Sequence, residues 1–477
     1  MTVRTPPETE RHLLNRFSYG ISPALAAQSR TAGDPLAWFE QQLQPDQIDD
    51  AAAAQVAGWF PRVWGDPGAM EAADKAGGPQ GWEISADFAR WTLMRRLISK
   101  RQVHEVMTEF WSNLLHVPSP ETKSWPWRPR YDAVVRAHAL GRFDEMLVAC
   151  VLHPAMGCYL DNARSTARTP NENLGRELLE LHTVGVGGYS EAEVHDSALI
   201  LTGWLVDVFG TYEAAYSPAD HWRGQVTVLG FSDANAKADG RDVAIRYVRY
   251  LANHPATARR VAQRLATRFV SDAPSVGLVS DLARVFTASG TDIATTLRAL
   301  VRHPEFLASA GAKVRTPVED AIATCRVLGV RPQAPTADAS FANAMLGQVA
   351  SMGQRPFDWG RPDGFPDAGE AWAGVTRVLN AFDIHNNLAG GNYPSRDVTY
   401  RSDASWLPRL PATLGQVVDS ISRRLVARPA SVALLDAVSA RLELSLSYQV
   451  RTPGDLPSWR MRPLLGTVLD SPEHMTR

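Results

Sequence analysis

The chain has 477 residues, a net charge of −2, and 45% hydrophobic against 21% charged residues. That apolar content offsets ordering entropy and excludes wholesale disorder. The near-neutral balance excludes a general nucleic-acid binder, which needs a basic footprint to release counterions. Of the 49 basic residues 44 are Arg. Planar guanidinium forks suit carboxylate, sulfate or phosphate, and an Arg-favouring codon bias gives the same count. Cys150, Cys158 and Cys325 are too few for a disulfide scaffold or a four-Cys zinc site and read as buried apolar residues. The first twenty residues hold no apolar signal core, and no run approaches the roughly 18 apolar residues of a membrane span. As written, the chain is expected to be cytoplasmic and off the membrane, with export open if a leader precedes it.

In chain order the periodicity predicts helices over Glu8–Phe17, Pro23–Ser29, Pro35–Leu43 and Ala51–Ala57. The Gly/Pro/Asp-rich stretch Arg62–Gly81 reads as a surface loop. Helices follow over Ile84–Ile98 and Val103–Leu115, then a packed Pro/Trp loop over Val117–Arg130, then helices over Tyr131–Leu140 and Asp144–Leu152. A long helix is expected over Asn171–Val184. Another spans Ser190–Leu201, with Ser190 and Glu193 at capping-box spacing. Between Trp204 and Phe231 the period changes to short strands, a hairpin or three-stranded excursion. Helices resume over Asp242–Leu251, Pro255–Phe269, Val276–Ala288, Ile293–Val301, Val318–Leu328 and Phe341–Ser351. Arg355–Gly374 is a Pro/Gly/aromatic loop, and Thr413–Leu469 is amphipathic helix. The fold class is therefore mainly α: one large multi-helix domain over the whole chain, divisible into sub-domains 1–165 and 166–477.

The chemistry concentrates after Pro170. Glu172, Arg176 and Glu180 fall at i, i+4 and i+8, Asn173 and Glu177 form a neighbouring row, and Asn171 caps the helix. Leu174, Leu178 and Leu181 fill the other side, and His182 closes the segment. One reading is a solvated ion-paired face. The other is a buried acid–base or metal cluster in which Arg176 orients a carboxylate. Metal spacing is weak: His-Glu-x-x-His is absent and Glu177-x-x-Glu180 lacks a histidine at its end. No cofactor is expected, with a divalent metal the alternative. Nucleophile-elbow and nucleotide-loop motifs are missing. His116 beside Trp111 reads as packing or as site, and Trp125, Trp127, Trp359 and Trp372 as loop anchors or a stacking wall.

The text itself resembles a bacterial family of unknown function, DUF1800. The resemblance rests on RHLLNRFSYG (Arg11–Gly20), HALGRFDEML (His138–Leu147), and the run from Leu160 to Val194 that contains NENLGRELLEL. It extends through LTGW (Leu201–Trp204), HWRGQVTVLG (His221–Gly230), ARRVAQRLATRFVSD (Ala258–Asp272) and MGQRPFDWGRPDGFPD (Met352–Asp367). It implies a predominantly helical fold, frequent export, and a protein partner encoded by a neighbouring gene. It implies no stated activity. Where the family carries a Trp-His-Asn-His-type run, this chain reads Trp111-Ser112-Asn113-Leu114. Its His-Asp-x-Gly-x-Lys is His221-Trp222-Arg223-Gly224-Gln225-Val226 here, without the acid and the lysine.

Together these readings predict an enzyme of acid–base type, a hydrolase, lyase or cyclase acting on a small molecule or glycan in a biosynthetic step. Glu177, Glu180, His182, Arg176 and His221 are the expected catalytic groups. Asn171, Glu172, Asn173, Asn113, His116, Trp111, Gln354 and Trp359 are the expected substrate contacts. The alternative is a non-catalytic protein in which the charged helix locks the fold or binds a partner.

Overall fold

Helix starts follow the capping chemistry of the sequence. Ser22, Asp34, Ser190, Ser275 and Thr316 each accept a hydrogen bond from the backbone N–H three residues on. Pro23, Pro35 and Pro317 occupy first-turn positions, where a missing N–H costs nothing. Ser190 with Glu193 and Thr316 with Glu319 complete capping boxes.

In the computed structural model, which describes residues 5–477, these helices enclose one apolar cluster running from Leu13 to Leu469. Helices Gly81–Ile98 and Gln102–Leu114 are central. Both bury side chains around most of their circumference, including Phe88, Leu93, Met94, Val103, Met107 and Trp111. Each such side chain contributes roughly 1.5–3 kcal/mol on removal from water. Helix Gly81–Ile98 packs on Pro317–Leu328 and Phe341–Ser351, Pro255–Phe269 on Val276–Ala288, and Val375–Ala389 on Ser458–Leu469. The architecture is mainly α, and no helix among the described residues is long and apolar enough to cross a membrane.

The strands differ from the expected single excursion. They form two separate antiparallel hairpins, Trp204–Val206 with Ala214–Tyr216 and Val226–Val228 with Phe231–Asp233. Two further pairs, Arg331–Pro332 with Val398–Thr399 and Ala412–Thr413 with Gln449–Val450, staple distant loops. The stretch expected as a loop over Arg62–Gly81 contains helix Pro67–Lys75, started by the Asp66 side chain on the N–H groups of Gly68 and Ala69. Its Asp-Pro-Gly opening is helix-start chemistry that composition alone disguises as a turn. Helix Val375–Ala389 was not anticipated. Its first turn exposes Val375 and Leu379, which blurs the apolar stripe.

Candidate acid–base site

The segment after Pro170 begins as expected: the Asn171 side chain accepts from the Asn173 N–H at 2.9 Å and starts helix Glu172–Glu177. Gly175 lets helix Glu191–Ile200 approach closely, since a Cβ there would lie 2.9 Å from the Ala198 nitrogen. The α ladder then stops. Leu178–His182 is a π-helical turn, not a continuation to Val184. Its freed carbonyls find other donors. Thr183 Oγ1 donates to the Leu178 oxygen at 2.6 Å, the Gly185 N–H to Leu179 at 3.0 Å, and Arg260 Nε to Leu181 at 3.0 Å. Gly185 turns the chain away at φ +96°, a conformation that favours glycine. Single π turns inside α-helices occur frequently at functional sites.

The wider turn separates side chains that α periodicity would align. Arg176 turns outward and grips Glu191 through two hydrogen bonds of 2.9 and 2.6 Å, with Glu172 at 3.7 Å. Glu172 in turn faces His195 at 3.0 Å. These four residues form the solvated face that helix grammar allowed, and Arg176 has no hydrogen bond to Glu177 or Glu180 among the described residues. Glu180 accepts from the Tyr189 hydroxyl at 3.0 Å. Glu177 is half-buried, and its side chain has no hydrogen-bonding partner among the described residues. Burial pushes its carboxyl pKa up, and the neighbouring charges of Glu180 and Asp363 push it further, against a weaker pull from Arg176.

Asp363 and Tyr159 lie near enough to feel the Glu177 charge, and the segments around Asp363, His116 and His182 are tied to one another. The His116 Nε2 lies 2.9 Å from the Trp359 oxygen, and the Ser119 N–H donates to Phe357 at 2.9 Å. Gly364 sits so tightly on Asn113 that a Cβ would meet the Asn113 oxygen at 2.1 Å. His182 Nδ1 lies 3.1 Å from the Leu114 oxygen, while its buried Nε2 has no partner among the described residues. Burial lowers both His116 and His182 to about 4, so both rings are neutral at pH 7. Trp359 Nε1 donates to Asp363 at 2.8 Å, and Arg361 holds the other Asp363 oxygen at 3.0 Å. Tyr159 completes the surroundings. Burial, then the charges of Glu121, Glu177 and Asp363, raise its hydroxyl to about 12.

Several expected contacts lie elsewhere. Trp111 is fully buried, donates to the Ala139 oxygen at 3.0 Å and packs on Phe110 and Phe143, so it is a core residue and not a substrate contact. The Gln354 side-chain oxygen accepts from the Val318 N–H at 3.0 Å and caps a helix. His221 does not join Glu177. It is held between Thr202 and the Asn235 side chain, at 2.9 Å from the latter, and lines a separate cavity of about 650 Å³. Asn173 is half-buried one turn before Glu177. Tyr159, Tyr189, Asp363 and Arg260 are the partners that sequence reading missed. Asp363, Tyr189 and Arg260 lie inside the runs that carry the family resemblance, and Tyr159 directly precedes one.

A profile described as a protein of unknown function, DUF1800, matches residues 12–476. The chain belongs to the DUF1800 family. No curated protein and no solved structure matches it.

Where the DUF1800 resemblance led us to expect two histidines, Ser112 accepts from Arg128 Nη2 at 2.8 Å and Leu114 is buried. The vacated positions are thus absorbed into packing. The charged lock that the sequence assigned to the post-Pro170 helix is built from other residues. Glu109 receives Arg96 at 2.9 Å, Tyr19 at 2.7 Å and Arg268 at 3.3 Å, and Arg268 continues to Glu319 at 2.8 Å. Arg477 reaches Glu319 at 3.1 Å, so the C-terminal residue is tied into the same buried network. Burial would raise Glu319, but Arg268 and Arg477 hold it at about 2.

A second buried cluster has metal-ligand composition. The Asp320 Oδ1 lies 3.2 Å from His385 Nε2 and 3.6 Å from His474 Nε2, with Asp470 on His385 Nδ1 at 2.9 Å. These edges resemble those of a tetrahedral shell. Arg377, however, donates to the other Asp320 oxygen at 2.9 Å, and Thr324 lies 2.8 Å from His474 Nε2. Burial would lower His385, yet Asp320 and then Asp470 raise it to about 9, so a protonated ring bridges two carboxylates. Guanidinium and imidazolium already neutralise both acids, and the donor set fits an ion network better than a cation site.

Proposed function

We propose that this DUF1800 protein is an acid–base enzyme whose proton-transferring group is Glu177. The observation that carries the reading is a half-buried carboxyl with no partner, flanked by two further acids and followed directly by a π turn. Carboxyls whose pKa is raised by burial and neighbouring acids gather where chemistry needs them. The raised pKa of Glu177 moves it toward the working range of a general acid, and its free oxygens are open to accept a proton. After burial, the charge of Glu180, steadied by Tyr189, adds to the upward shift of the Glu177 carboxyl. Trp359 packs on Phe365 and lies under the Arg361 guanidinium, and its Nε1–H on Asp363 fixes that carboxylate beside the site. Three carboxylates in one setting favour a neutral or cationic substrate over an anionic one. The reaction class is hydrolysis, elimination or cyclisation.

The test is incubation of purified protein with polar metabolite and glycan extracts, with products followed by mass spectrometry. The wild type is expected to convert at least one species, and Glu177→Gln to lose that conversion while keeping its circular dichroism. Conversion that survives the substitution overturns the assignment.

The structural-lock reading retains one specific support. Glu109, Arg268, Glu319 and Arg477 form a closed network of the kind it requires, but away from the post-Pro170 helix.

A further inference from the structure

A cavity of about 920 Å³ opens between the Pro23–Ala32 helix, the Trp59 turn, the end of helix Gly81–Ile98 and the paired strands Arg331–Pro332 and Val398–Thr399. Its walls combine Leu25, Trp59, Val330 and Tyr400 with the cationic side chains of Lys100, Arg326, Arg331 and Arg401, and no carboxylate lines it. Arg326 is half-buried. Its Nη1 donates to the Leu97 oxygen at 2.8 Å, and its Nε has no partner among the described residues. Arg401 lies over Trp406 at 4.4 Å, and among the described residues its guanidinium hydrogen-bonds only to the two Ser405 oxygens. Gly329, at φ +69°, lets the Arg401 stem pass: a Cβ would come 3.1 Å from its Cδ.

Nearby acids are engaged elsewhere. Asp50 accepts from Ser99 Oγ at 2.8 Å and from the Lys100 N–H at 2.7 Å. Asp403 accepts from Ser458. Only Asp49 touches the rim, 3.6 Å from the Lys100 ammonium. Asp49 pairs with Lys100 and Asp50 offsets part of the Arg326 charge, but among the described residues Arg331 and Arg401 have no carboxylate partner, so positive charge accumulates at these two. Arg401 and Arg331 repel one another, and burial with that repulsion lowers Arg401. Like charges held around one concavity raise the local concentration of a complementary ion. Guanidinium forks match the planar or tetrahedral oxygens of carboxylate and phosphate.

We propose that this groove binds a small organic anion, its oxyanion head between Arg326, Arg331 and Arg401 and its apolar or ring body against Trp59, Leu25 and Tyr400. The site is separate from Glu177, whose acidic surroundings repel such a ligand, and the proposal does not depend on the acid–base reading.

Isothermal titration calorimetry of the full chain with phenyl phosphate and with benzoate tests it, inorganic phosphate serving as the bodiless control. Saturable binding of at least one organic anion is expected, weakening with added salt. Arg331→Gln and Arg401→Gln are each expected to weaken it about tenfold, the loss of one charge-assisted contact. Arg331 is exposed, so its variant keeps the fold even if Arg401→Gln does not. The relative affinities of phenyl phosphate and benzoate assign the head group. No saturable binding of either, or binding unchanged by Arg331→Gln, overturns the proposal. Inorganic phosphate binding as tightly as phenyl phosphate removes the role of the apolar wall and overturns it equally.

Discussion

Arg176 and Arg268 look alike in the sequence, each a basic residue among helical acids. Arg176 keeps its guanidinium in solvent and shares it between Glu172 and Glu191, both well exposed. Arg268 is buried between Glu109 and Glu319. Exposed pairs gain little because water and salt screen them, while a buried pair broken on one side leaves an uncompensated charge. Arg176→Gln is therefore expected to leave the thermal midpoint nearly unchanged, and Arg268→Gln to cost about 3–5 kcal/mol in urea unfolding. Equal effects of the two would contradict this division. Sequence reading singled out Arg176 because its partners sit nearby in the chain. It passed over Arg268 because Glu109, Glu319 and Arg477 become its neighbours only once four segments have packed.

At the scale of elements, most helices were legible from an apolar stripe, a cap or both: the stripe over Glu8–Arg16, the capping box before Glu191–Ile200, and both over Pro255–Phe269. The helix carrying the candidate site was legible in position but not in winding. Nothing in LLELH announces a π turn. The displaced carbonyls are taken up by Thr183, directly after the turn, and by Arg260, which only the tertiary fold brings there. With the turn unseen, Arg176 and Glu180 appeared to share a face. The start of this element depends on Gly175, where the Glu191–Ile200 helix leaves no room for a methyl group. Gly175→Ala should destabilise the protein by about 1–3 kcal/mol through overpacking, despite alanine's better helix propensity. Chemical denaturation measures it, and a stabilised variant would show that the two helices are not packed as described.

Across the whole molecule, burial governs the histidines. His12, His116, His153 and His182 are pushed down to about 4 and His474 to about 3, in each case chiefly by desolvation. An unfolded chain protonates these rings near 6.5, so as pH falls below that value the unfolded state takes up protons that the folded state refuses. Stability is lost over the window from about 6.5 to 4. His385 works in the opposite sense. Raised to about 9, it contributes stability that is fully present below 6.5 and disappears as pH rises through 9. Thermal midpoints should therefore peak near neutrality, fall steeply toward pH 5 and decline more gently above 8, and a flat profile between 6.5 and 5 would contradict the burial of these rings. Fold class was visible in composition and period, because helix grammar is local. The convergence of Asn113, His116, Trp359, Asp363 and Glu177 was foreseeable only in outline, since loops 117–130 and 353–374 carry no periodicity to place them.

The central claim is that Glu177 is held for chemistry and not for stability. The thermal midpoint of Glu177→Gln at neutral pH tests it without knowledge of the substrate. Removing an unpaired carboxyl beside Glu180 and Asp363 relieves repulsion and breaks no hydrogen bond, so the midpoint should stay level or rise. A fall of several degrees would mean that the carboxylate supports the fold, and the acid–base assignment would fail with it.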